Sequence, residues 1–211
     1  MNKKLLITLG AVMAMLSFSA LQAETLLGST YFGLSAGATF FGDQGLKDNF
    51  GESYEIGFLA SFNVAPNLDI AVNGIYGWSD GEVDAISEDF EIGVLDADFI
   101  YSFSPGQAVN PYLNATIGVT TLQYNINDII ELSAEETEIS IGMGGGVEFE
   151  TSESTLMRLG LEYITIDIQD IVDLYGSFGF WLNENSMLAL QLDYDFESEN
   201  FSSGLAYIYK P

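Results

Sequence analysis

Residues 137–150 alternate with period two along their whole length. Ile139, Ile141, Met143, Val147 and Phe149 fall on one face, and Glu138, Ser140, Gly142, Gly144, Gly146 and Glu148 on the other. Successive side chains of a strand point to opposite faces, so one face here is apolar and the other polar or tiny. Segments of this kind recur about ten times along the chain. The pattern predicts strands over about 30–41, 52–64, 68–78, 90–103, 111–119, 137–150, 157–163, 174–182, 188–196 and 201–209. In the fourth, Phe90 and Ile92 fall out of phase with Leu95, Ala97, Phe99, Tyr101 and Phe103. A bulge near Gly93 would restore the alternation.

Short turns are expected at Ala65–Asn67, Ser104–Gln107, Thr151–Ser154 and Asn183–Ser186, where Pro, Gly, Asn and Ser bend the chain. They alternate with longer, polar connections at Gly42–Asn49, Asp80–Glu88, Tyr124–Glu136 and Asp167–Asp173, and Ser198–Asn200 makes a short last loop. No fixed-period repeat is present, which argues against a solenoid or propeller. The fold class is therefore all-β: a closed antiparallel transmembrane up-and-down β-barrel of ten strands, with eight as the alternative. Its apolar face meets lipid and its polar face lines a lumen. A soluble sandwich or lipocalin-like barrel would turn a polar face rich in Lys and Arg outward. The outward aromatics sort into two bands. Phe32, Phe62, Tyr101, Phe103, Phe149, Phe180 and Tyr209 lie near one set of strand ends, and Phe40, Tyr54, Tyr76, Trp78, Tyr163, Tyr194 and Phe196 near the other. Girdles at two membrane interfaces have this arrangement.

The amino terminus has a different pattern. Lys3 and Lys4 precede an uncharged run, Leu5–Leu16, and Leu21-Gln22-Ala23 offers a cleavage site. These are the parts of a secretory signal, expected to be cut after Ala23. Two segments result: residues 1–23 as signal and 24–211 as barrel. The run is short for a spanning helix, and no later stretch approaches the roughly 20 apolar residues that one needs.

Composition narrows the chemistry. The chain carries 31 acids against 5 bases and no Cys or His, for a formal net charge of −26. Disorder is disfavoured, because acidic disordered chains lack the 15 Phe and 11 Tyr present here. Nucleic acid is not an expected partner, since phosphate binding needs a basic face. Without Cys there are no disulfides or thiolate metal sites, and without His the commonest general base is missing. Nothing in the sequence points to a cofactor.

At this point the chain resembles the small porin-like outer-membrane β-barrel family of Gram-negative bacteria, the OmpA/OmpX type. The likeness covers about residues 28–209. It rests on the signal, the alternation, the Val64-Ala65-Pro66-Asn67-Leu68-Asp69 turn, Pro111-Tyr112 opening a strand, and the aromatic carboxyl terminus. The resemblance implies a location in the outer membrane, with both termini and the short turns on the periplasmic side. The family commonly has eight strands and ends on the aromatic itself, whereas here Lys210 and Pro211 follow. The partners implied are the lipid bilayer with its lipopolysaccharide and the outer-membrane assembly machinery.

Arg158 is the only arginine and takes a lumen position. So do Glu55, Asp69, Asp96, Asp98, Glu138, Glu148, Glu162 and Asp193. Ionised carboxylates are costly in a dry interior, and one guanidinium cannot neutralise eight of them. The lumen is then hydrated, or holds protonated carboxyls, or takes up cations. The reading that follows is an interior network around Arg158, bridged to Glu162 or Glu148, that holds the barrel together. The alternative is a small cation-selective pore.

Catalysis finds no footing. Outer-membrane phospholipases, lipid A deacylases and omptin proteases use His with Ser or Asp, and this chain has none to supply. Asp96 and Asp98 share a face, but alternation alone brings that about. The loop acids Asp80, Glu82, Asp84, Glu88, Asp89, Asp128, Glu131, Glu135, Glu136, Asp167, Asp170 and Asp173 match no calcium-loop pattern. They read as a solvated acidic rim, with loose binding of divalent cations, bridging to lipopolysaccharide phosphates, as the functional alternative. The end of the chain, Ser202-x-Gly204-x-x-Tyr207-x-Tyr209, resembles the β-signal read by the assembly machinery. Lys210-Pro211 reads as a tail beyond the ladder, since Pro cannot extend it.

Overall fold

The computed structural model describes residues 27–42, 52–83, 86–105, 107–127, 132–152, 154–166 and 169–211. For residues 80–83, 86–90, 124–127, 132–135, 152 and 169 it describes the backbone alone. The expected signal, residues 1–23, and most of the Gly42–Asn49 connection lie outside the described residues.

Ten strands form one sheet: β1 (Tyr31–Phe40), β2 (Glu52–Ala65), β3 (Leu68–Val83), β4 (Ile86–Ser102), β5 (Val109–Asn127), β6 (Leu132–Ser152), β7 (Thr155–Ile166), β8 (Gln169–Asn183), β9 (Ser186–Asp195) and β10 (Phe201–Tyr209). Each pairs antiparallel with its sequence neighbours, and β10 pairs with β1 from Phe32–Tyr209 to Phe40–Phe201, closing the barrel. Closure leaves no ladder edge within the barrel wall, which a sheet surrounded by lipid requires.

The outer surface is the apolar one. Leu34, Ile56, Leu95, Leu113, Ile141, Met143, Leu159, Leu190 and Leu205 stand exposed on it. Aromatic pairs ring both ends. Phe32–Phe62 and Tyr101–Phe103, with centroids 6.0 and 5.3 Å apart, lie at the end with short turns. Tyr54–Trp78, Tyr76–Trp78 and Tyr194–Phe196 lie at the other. Register shifts fall between Asn63 and Ala65, Glu150 and Ser152, and Trp181 and Asn183, each just before a short turn.

Two expectations need correction. No bulge occurs near Gly93, because the β3–β4 ladder runs without a break from Leu68–Tyr101 to Val83–Ile86. Ile92 is instead an inward residue, 1% exposed. The acidic connections are also shorter than their composition suggests. Asp80–Val83 and Ile86–Glu88 are paired strand, Leu122–Ile126 pairs with Leu132–Glu136 from Leu122–Glu136 to Ile126–Leu132, and β8 begins at Gln169. The loops were overestimated because the ladder continues past the apolar band, where polar residues can occupy both faces.

The continuation is lopsided. β2 begins at Glu52, whose carbonyl accepts from the Ser79 hydroxyl at 2.9 Å, so Gly81–Val83 of β3 lie beyond β2, and Leu132–Ile139 of β6 lie beyond the Ser140–Ile166 pair with β7. At about 3.3 Å per residue these stretches extend roughly 10 and 26 Å along their strands. Among the described residues, β3–β6 therefore rise as a four-stranded wall above the rim of the other strands.

Candidate functional site: the lumen and its rim

The inward positions are layered. Read upward from the end with short turns, β7 presents Leu156, Arg158, Gly160, Glu162, Ile164 and Ile166. In the same direction β4 presents Ser102, Ile100, Asp98, Asp96, Val94 and Ile92. Apart from Ser102 at the foot of β4 and Arg158 and Gly160 on β7, the order on both is apolar, then acidic, then apolar. All of these side chains are buried, so the centre of the barrel is filled rather than open.

The lower layer is sealed by two clusters. Tyr31, Leu59, Leu156, Met187, Ala189, Ala206 and Ile208 form one, with Trp181 packed against it. Leu27, Ala71, Ile100, Tyr112 and Tyr175 form the other. Leu27 precedes the first strand, and Gly28 turns the chain into the mouth with a φ of +83°. That conformation is open to glycine at little cost. The Gly28 N–H donates to Asp69 Oδ2 at 2.7 Å, and Asn63 Nδ2 donates to Asp69 Oδ1 at 2.8 Å. Asp69 thus anchors the segment that stoppers the mouth.

Arg158 is fully buried just above Leu156. Its Nη2 lies 3.4 Å from Glu148 Oε2, and its guanidinium lies 4.5 Å from the centre of the Tyr112 ring. Glu148 is its direct partner on the β6–β7 ladder. The Tyr112 and Tyr175 hydroxyls are 2.7 Å apart. The guanidinium is therefore held between a carboxylate and an aromatic face, two environments that stabilise a cation.

The acidic layer lies above. Asn73 Nδ2 donates to Asp96 Oδ1 at 2.6 Å and to Asp98 Oδ2 at 2.8 Å. Thr116 Oγ1 lies 2.5 Å from Asp98 Oδ1 and 2.8 Å from Glu162 Oε1, and Asn114 Nδ2 donates to Glu162 Oε1 at 3.1 Å. These contacts tie β3, β4, β5 and β7 together. Asp193 and Glu55 are buried on other walls, with Glu55 flanked on its ladder rows by Gly37 and Gly77. Glu138 is only half-buried, near the upper end of β6.

Several members of this interior were missed in the sequence. Asp173, assigned to a loop, is a fully buried strand residue paired across from Glu162 and Asp195. Asp195 accepts from the Glu197 N–H at 2.8 Å and from the Ser198 hydroxyl, and so holds the β9–β10 turn. Asn73, Asn114 and Thr116 have inward phase, and that phase was the available signal. Among the described residues no three carboxylates converge tightly enough to hold a metal ion.

The carboxyl-terminal residues lie along the closing seam. The Ser202 and Thr39 hydroxyls are 2.8 Å apart inside it, and Gly204 pairs with Gly37. Tyr207 and Tyr209 are exposed on the lipid side, with the Tyr207 hydroxyl 2.9 Å from Ser186 Oγ. Lys210 continues past the strand, its N–H donating to Asn185 O at 2.8 Å and its carbonyl accepting from Asn185 Nδ2 at 2.7 Å.

Residues 8–208 match the model of a family described as outer membrane protein beta-barrel domain. Solved barrels share the architecture at low identity. The transport unit of the autotransporter AIDA-I from Escherichia coli is 8% identical with a TM-score of 0.53, covering 97% of this chain and 98% of that one. Neisserial surface protein A is 14% identical with a TM-score of 0.44, over 86% and 97% of the two chains. Ail, the attachment invasion locus protein of Yersinia pestis, solved with the heparin analogue sucrose octasulfate, is also 14% identical at a TM-score of 0.44, over 86% and 99%. No curated protein matches the chain in sequence.

Proposed function

Since this chain belongs to the outer membrane protein beta-barrel domain family, we propose that it is a closed outer-membrane anchor that displays its long hairpins at the cell surface, in a structural or adhesive role. One observation carries this reading. The inward residues of β4 from Ile92 to Ser102, and those of β7, are buried, with apolar side chains both below and above the acids. A conducting pore needs a continuous wet path, whereas here Ile92, Val94, Ile164 and Ile166 stand over the carboxyls. In this reading Arg158, Glu148, Asp69, Asp96, Asp98, Glu162, Asp193 and Glu55 hold the wall closed and carry no solute.

Export by the signal and orientation with the short turns in the periplasm belong to the same proposal, as does recognition of Ser202, Gly204, Tyr207 and Tyr209 during assembly. Strand addition at the seam would present that last strand to the machinery as an edge. The test is conductance of the refolded protein in a planar bilayer. The anchor reading expects no steady channels. Stable openings with a cation-biased reversal potential would overturn it in favour of a narrow pore.

A further inference from the structure

Two glycines open the lipid face of β3 and β4. In the lipid-side register, β3 carries Gly74, Tyr76 and Trp78, and β4 carries Leu95, Gly93 and Glu91 across from them. The Phe58 ring lies over Gly74, where a Cβ would stand 2.1 Å from its Cε1. At Gly93 a Cβ would meet no atom within 4 Å, so the position is an open notch between its ladder partners Tyr76 and Thr121. An apolar groove of about 620 Å³ lies beside the notch, lined by Leu34, Ile56, Phe58, Gly74, Tyr76 and Leu95. The upper end of this groove is polar. Glu91 stands above Gly93 on the same face, paired across from Trp78, and the Tyr76 hydroxyl bonds its carboxylate. Trp78 stands between Tyr54 and Tyr76, with ring centroids 6.3 and 6.0 Å away. The groove thus runs up to a carboxylate set among aromatic rings, in the girdle where lipid head groups begin.

We infer that the groove is a lipid site that takes an acyl chain along Phe58 and Leu95 and a cationic amine head group at Glu91. Charge complementarity selects the head group. A carboxylate forms charge-assisted hydrogen bonds with an ammonium, and the faces of Tyr76 and Trp78 attract the same cation. Both disfavour a phosphate, the carboxylate by its charge and the rings by their negative faces. Of the bases among the described residues, Arg158 is buried in the lumen and Lys210 lies at the opposite end of the barrel, so neither supplies Glu91 with a counter-charge. The notch at Gly93 is what lets a head group approach, because a side chain there would stand between Tyr76 and Glu91. The inference needs only the barrel in a bilayer and holds for a closed anchor and for a pore alike.

Trp78 itself reports occupancy. The chain has two tryptophans, so Trp181→Phe leaves Trp78 as the single fluorophore. Should that replacement not fold, the difference between the unaltered chain and Trp78→Phe isolates the same signal. The barrel is refolded in phosphatidylcholine vesicles holding a minor fraction of a lipid with brominated chains, which quench a tryptophan they touch. That lipid carries a cationic amine, a zwitterionic phosphocholine or an anionic phosphoglycerol head. The cationic lipid is expected to quench Trp78 with an apparent affinity at least about tenfold above the zwitterionic one, and the anionic lipid to fall below both. Glu91→Gln is expected to bring the cationic lipid down to the zwitterionic level. Gly93→Leu, which fills the notch and leaves every acid in place, is expected to do the same, whereas a diffuse attraction to an acidic chain would survive it. Equal quenching by the cationic and zwitterionic lipids in the barrel with Glu91 and Gly93 intact would overturn the inference, whether or not a variant folds. So would an unchanged preference in Gly93→Leu that keeps its folded gel mobility. A preference for the anionic lipid that appears on adding calcium would overturn it in favour of a divalent bridge to phosphate.

Discussion

Thr116 on β5 touches Glu162 on β7 across the intervening strand, with 2.8 Å between Oγ1 and Oε1. Gly142 and Gly144 of β6 make the contact possible. A Cβ on Gly144 would lie 2.7 Å from Asn114 Oδ1 and 2.6 Å from the Leu161 carbonyl oxygen, and one on Gly142 would lie 3.0 Å from Glu162 Oε1. The small face of β6 is a passage through which its two neighbours meet. Thr116→Val should remove a hydroxyl shared by Asp98 and Glu162 and lower stability by about 1–3 kcal/mol, the cost of stranding a buried acceptor. Gly144→Ala should be destabilising in the same assay because backbone stands in its way. A urea midpoint unmoved by both substitutions would show that these contacts do not hold the wall.

Arg158 should be the most sensitive single position in the lumen. Replacing it by Met leaves Glu148 without its neighbouring cation in a buried layer, so stability should drop by about 3–5 kcal/mol. Adding Glu148→Gln to that variant should recover part of the loss, because the stranded carboxylate goes with it. Urea unfolding in detergent reads both values, and a double variant no better than Arg158→Met would contradict the pairing.

Met143 is 65% exposed on the lipid side of β6, one residue from Gly144 on the lumen side. Met143→Arg should cost about 2–4 kcal/mol when the barrel folds into bilayers, the scale for a charge on the lipid face near the midplane. In a detergent micelle, where the head group reaches water more easily, the cost should shrink. Equal folding of Met143→Arg and the parent protein in lipid would mean that this face does not meet hydrocarbon.

The seam predicts an assembly phenotype. Tyr207→Ala with Tyr209→Ala removes two exposed aromatics from the strand that closes on β1 and should leave the protein in the periplasm. Deleting Pro211 alone should be silent, because the paired strand ends at Tyr209 and Lys210 remains tied to Asn185. Cell fractionation decides the matter, and normal outer-membrane yield of the double variant would sink the β-signal reading of Ser202, Gly204, Tyr207 and Tyr209.

Alternation was enough to read the closed barrel and its lipid-facing surface, because the period of a strand is local and the lipid side is apolar almost everywhere it crosses hydrocarbon; it pointed to ten strands over eight, and the ladder decided ten. The lumen was not readable in the same way. Ile92 looked out of phase because an apolar residue facing lipid and one facing an apolar interior layer are identical in a sequence, and only the unbroken β3–β4 ladder separates them. Asp173 was hidden for a related reason: acids mark loops and lumen walls alike. Whether Glu148 or Glu162 stands beside Arg158 depended on cross-strand register, which places Glu148 opposite it. The meeting of Thr116 with Glu162 required two strands to approach over glycines of a third. The wall of β3–β6 emerged only from comparing where neighbouring strands stop. Local chemistry determined what each strand is, and three-dimensional register decided which side chains share a layer, because contacts across a closed sheet depend on stagger that no single segment encodes.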